Sequence, residues 1–70
     1  MNKTHPQSAH IHGMELYMLN NLRPIVKSAI DSWSENSYNK SKEVCDFNVK
    51  YFTDELELID FELKKHGVSI

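Results

Sequence analysis

Between Lys42 and His66 one continuous helical pattern carries two apolar stripes, and this limits what the chain can fold into more than any other feature. Cys45, Val49, Phe52, Leu56, Ile59 and Leu63 recur at alternating steps of four and three, a narrow stripe of the kind that meets a neighbouring helix. At about 100° per residue, Val44, Phe47, Tyr51, Leu58 and Phe61 fall on a second stripe roughly 140° from the first. One partner helix covers one stripe only. The second, with three aromatic residues, is a large apolar load for a chain of 70 residues, and patches of that kind mark interaction surfaces.

The partner for the first stripe lies upstream. From Met14 to Ser34, Leu19, Leu22, Val26, Ala29 and Trp33 recur at helical spacing, widened by Met18, Ile25 and Ile30. Pro24 removes a backbone donor and crowds the preceding turn, so the pattern reads as one helix kinked near Asn20; a helix starting at Asn21, with Pro24 in its first turn, is the other reading. Ser32 to Ser41 concentrates Ser and Asn, whose side chains compete for backbone hydrogen bonds, and forms the connection. Ser41 is placed to cap the second helix and Glu43 to complement its positive end. At the far end Lys64, Lys65 and His66 suit the negative terminus, Gly67 suits a left-handed stop, and Val68 can pack back on Leu63. The stretch before Met14 has Pro6, Gly13, three histidines and no apolar periodicity, so residues 1–13 read as a mobile tail whose deletion leaves the fold intact.

The expected fold is therefore all-α: a two-helix antiparallel hairpin over residues 14–70, its first helix kinked near Pro24, dimerising into a four-helix bundle through Val44, Phe47, Tyr51, Leu58 and Phe61. The competing cover for the second stripe is the N-terminal part of the first helix, folded over it as a short third helix. A chain this small buries only about 60% of its unfolded surface, which also favours a partner.

Charge is unevenly spread. Residues 1–30 carry a small positive excess and residues 43–70 hold seven acids against three lysines, within an overall charge of -2. That balance gives no electrostatic footprint for gripping phosphates and argues against ordinary nucleic-acid binding. It points instead to a neutral or basic protein partner, with Asp54, Glu57, Asp60 and Glu62 as the acidic face. The i,i+4 pairs expected on this helix are Lys42 with Asp46, Lys50 with Asp46 or Asp54, Asp60 with Lys64, and Glu62 with His66.

Chemistry is sparse. His5, His10 and His12 cluster, but structural zinc needs four ligands at defined spacing and the single Cys lies on the core stripe, so no metal or cofactor is expected. Cys45 has no basic neighbour and no Cys-x-x-Cys partner and reads as a small buried hydrophobe. Gly-rich phosphate loops, nucleophile elbows and EF-hand spacing are all missing, and a hairpin offers little concave surface to perturb a carboxylate, so no enzyme activity is expected. One Cys and no long apolar run suit a soluble protein of the cytoplasm. The segment Thr53-Asp54-Glu55-Leu56-Glu57 resembles the Ser-x-x-Leu-Asp signature of small helical-hairpin aspartyl-phosphate phosphatases. The likeness covers five residues, with Thr for Ser and Glu for Asp, and the second helix begins too far upstream, so no assignment follows from it.

The functional expectation is a non-enzymatic interaction module, a homodimer that binds another protein as regulator, adaptor or inhibitor. The alternative is a role with nucleic acid, either DNA binding by a dimer that gathers Arg23, Lys27 and Lys40, or acidic mimicry that blocks a DNA-binding protein.

Overall fold

Two helices, α1 over Leu16–Ser34 and α2 over Lys42–Lys65, pack against each other in the computed structural model, which describes residues 11–69. The seven residues 35–41 turn the chain, and Arg23, early in α1, reaches Asp60, late in α2, so the pair is an antiparallel hairpin. No strand is present among the described residues.

α1 starts behind Glu15, whose carbonyl accepts from the Met18 and Leu19 amides without a side-chain cap. It continues through Pro24 to Ser34, which removes the reading that it starts at Asn21. The connection uses Asn where left-handed backbone is required: Asn36 has φ 55° and Asn39 φ 57°, a region that Asn tolerates better than most side chains. The Asn36 amide also clasps Lys40, donating to its carbonyl at 2.9 Å and accepting from its backbone N–H at 2.8 Å. The Cys45 thiol donates to the same Asn36 oxygen at 3.2 Å, so the loop is stitched to the first turn of α2.

Both ends of α2 form as the residue types dictate. Ser41 Oγ accepts from the Val44 amide at 3.3 Å. At the C-terminus Gly67 has φ 88°, its amide donates to the Lys64 carbonyl, and the Val68 amide donates to the Leu63 carbonyl, which together make a complete Schellman stop. Val68 packs against the core cluster that contains Leu63.

The core lies along the first stripe of α2. Leu19 and Val26 of α1 and Ile59 and Leu63 of α2 are buried, with Leu22, Ile30, Phe52 and Leu56 half-buried around them, and Cys45 closes the loop end. One core member comes from outside the hairpin. Ile11 is completely buried in the same cluster, Ile11 and His12 have helical backbone, and the Met14 amide donates to the Ile11 carbonyl. The boundary expected between Gly13 and Met14 is therefore corrected at its edge, because an apolar side chain just before α1 can reach the hairpin and gains by leaving water. Residues 1–10, the rest of the expected tail, lie outside the described residues.

Candidate interaction surface

The outward face of α2 is shaped by two neighbours that the spacing alone does not order. On one flank His12 Nδ1 bonds Glu62 Oε2 at 2.5 Å, and Lys65 stands 3.5 Å from the same oxygen. Glu62 is buried, Glu55 one heptad earlier is buried too, and Tyr51 and Leu58 between and beside them are half-buried, Leu58 packed on the core cluster. The hydrogen bond from His12, followed by the Lys65 charge, outweighs burial and holds the Glu62 carboxyl below its ordinary value, so it stays ionised. The opposite flank is open.

There Phe47 is 68% exposed and Phe61 56%; Val44, 41% exposed, lies on the Glu62 side of the helix, five turns nearer the loop. The Phe47 and Tyr51 rings lie 6.2 Å apart, Tyr51 meets Phe52 edge-on at 5.2 Å, and Lys65 Nζ lies 5.5 Å from the centre of the Phe61 ring. Glu43, Asp46, Phe47, Lys50, Tyr51 and Asp54 line a shallow, open groove along this flank. Of the five residues expected on the second stripe, three thus face water, Leu58 packs on the chain's own core and Tyr51 is half-buried at the groove.

The acidic set is also divided. Asp54 pairs with Lys50 at 3.2 Å, an expected i,i+4 pair, as Lys42 does with Asp46 at 2.7 Å. Asp60 pairs with Arg23 across the helices at 2.6 Å instead of with Lys64, and its carboxylate raises the Arg23 guanidinium above its ordinary value. Glu62 turns to His12 and Lys65 instead of His66. Expected as part of a partner-facing surface, Glu62 is 4% exposed and is corrected to a buried structural acid; Glu57 remains exposed. Local spacing gave each acid a nearby cation, and tertiary packing supplied two of them with a different one.

Other chemistry stays weak. Among the described residues, no group of three or more His, Cys, Asp and Glu could hold a metal ion; His5 and His10 lie outside them. Cys45 is a free, buried thiol held by the loop. Arg23, one member of the expected basic patch with Lys27 and Lys40, is engaged by Asp60. Thr53 is half-buried and Glu57 exposed on the groove's far side, with no phosphate-binding loop beside them. No helix is long and apolar enough to cross a membrane. Sequence spacing missed Ile11 and His12 because a single apolar residue among histidines has no periodicity to betray it. No protein-family model, curated protein or solved structure matches this chain.

Proposed function

We propose that the chain works without catalysis, as a small interaction module that regulates, links or inhibits another protein, and that the outer face of α2 is a docking surface. The carrying observation is that Phe47, Phe61 and Val44 remain exposed on one face while the hairpin and Ile11 have covered the rest of the apolar surface of α2. Phe47 and Phe61 are only partly covered, and full burial of what remains exposed would recover about 1 to 2 kcal/mol each, a reserve that a partner can use. Three carboxylates of the α2 cluster, Asp54, Asp60 and Glu62, are held in ion pairs by Lys50, Arg23 and His12, and the grooves along the helix are open. Association of two hairpins through this face gives a four-helix assembly in which the two α2 helices lie inside. The bend at Pro24 belongs to the same reading, since it lets the first turns of α1 follow the curve of the hairpin.

The test is capture from native lysate by tagged full-length chain, compared across three baits: wild type, Phe47→Asp and Ile25→Asp. Ile25 is 65% exposed on α1 and serves as the control for a new surface charge. The proposal expects proteins, a second copy included, that are retained by wild type and Ile25→Asp and lost with Phe47→Asp. An identical set on all three baits would overturn it.

A further inference from the structure

The outer stripe of α2 continues with heptad spacing through Val44, Phe47, Tyr51, Asp54, Leu58, Phe61 and Lys65. Along its open edge, opposite the edge that carries Glu62, the residues Glu43, Lys50, Glu57 and Lys64 recur every seven positions. All four are exposed, and their charges alternate in sign. We propose that the partner docked on this face is a second copy of the chain, its α2 antiparallel to the first, in the one register that this alternation selects. The inference rests on the reading of the face as a docking surface and names its occupant.

The register follows from charge. With a second copy turned end for end about a two-fold axis beside Thr53, Glu43 comes level with the partner's Lys64 and Lys50 level with the partner's Glu57. Symmetry repeats both contacts, so every edge charge meets its opposite. In that register Phe47 also comes within one residue of the level of the partner's Phe61, which places the two most exposed rings of α2 against each other. Asp54, near the axis, brings its own Lys50 at 3.2 Å, so the two central acids carry two lysines with them.

Competing registers keep fewer opposite-sign contacts: a slide of two heptads leaves a single kind, Glu57 with Lys64 in one direction or Glu43 with Lys50 in the other. A slide of one heptad in one direction sets Lys50 against Lys64 and Glu57 against Glu57; the other direction sets Glu43 against Glu57 and Lys50 against Lys50. Juxtaposed like charges suppress such registers. A parallel pair turns each open edge toward the partner's other edge, where Glu55 and Glu62 are buried in their own fold. Glu43 to Lys64 spans about 31 Å at 1.5 Å per residue, three heptads, so the interface is small and the association is expected to be weak.

Sedimentation equilibrium of the purified full-length chain from about 5 to about 500 µM tests this, with Lys50→Glu and Glu57→Lys as variants. The wild type is expected to self-associate, and each variant alone to do so at least about tenfold more weakly, since each confronts like charges twice. An equimolar mixture of the two variants restores both opposite-sign contacts, and its association is expected within about threefold of wild type. A folding defect is not repaired by mixing, so recovery reports on pairing. A mixture no stronger than either variant alone overturns the register. A wild type that stays monomeric over the whole range overturns self-pairing, and leaves the capture experiment above to judge the docking face on its own.

Discussion

Ile11→Ala is the substitution on which the structure and the appearance of the sequence part most sharply. The side chain is completely buried among Leu19, Val26, Ile59 and Leu63, although it lies in a polar stretch ahead of α1. The change removes about three buried carbon groups at about 0.8 kcal/mol each, or about 2.4 kcal/mol of transfer free energy. A cavity penalty adds to this where the surroundings cannot close, and such substitutions span about 2 to 5 kcal/mol. Ile11 comes from outside the helix pair, so its segment can settle inward and the lower part of that range applies, about 2 to 3 kcal/mol. In a domain of this size that lowers the melting temperature by about 10 to 20 °C, readable by circular dichroism with a urea titration beside it. Ile25→Ala removes the same atoms from a site that is 65% exposed and should change stability by less than about 0.5 kcal/mol. Deleting residues 2–13 should cost at least as much as Ile11→Ala. An Ile11→Ala protein within about 0.5 kcal/mol of wild type, or as damaged as Ile25→Ala, would refute the placement of Ile11 in the core.

Gly67→Val should cost about 1 kcal/mol through backbone strain alone, because φ is 88° and a side chain there meets nothing within 4 Å; thermal unfolding checks it, and no change would show that the stop relaxes freely. Glu62 has a carboxyl held below its ordinary value, so its contribution is full above the ordinary carboxylate range and is lost as pH falls through the depressed native value. The destabilisation caused by Glu62→Gln, measured by urea unfolding, should therefore be largest near pH 5 and shrink toward pH 3; a difference that stays flat across that interval contradicts the ion pair. Pro24→Ala restores an interior helical hydrogen bond at an exposed position and should stabilise by about 1 to 3 kcal/mol. A loss of stability would mean that Pro24 itself serves packing.

Local signals were the legible ones. Ser41, Gly67 and Val68 act where their residue types place them, since caps depend on backbone geometry within a few residues. The core stripe from Cys45 to Leu63 was readable because strict helical spacing leaves little freedom over which side faces α1. Contacts made over long separations were not. The pairs Arg23 with Asp60 and His12 with Glu62 join residues 37 and 50 positions apart, and each displaced a local i,i+4 pair that the sequence offered equally well. The second stripe was recognised as a whole, but spacing alone did not show that Leu58 packs on the core cluster and Tyr51 is half-buried while Phe47 and Phe61 stay exposed.

The central claim is that the open face of α2 is where this chain docks with its own kind. Amide chemical shifts of the ¹⁵N-labelled full-length chain, compared between about 5 and about 500 µM, test it residue by residue. Concentration-dependent shifts should gather on Glu43, Phe47, Lys50, Asp54, Glu57, Phe61 and Lys64 and spare Tyr17 and Ile25, the two most exposed large apolar residues of α1. Spectra that do not change with concentration, or changes centred on Tyr17 and Ile25, would contradict it.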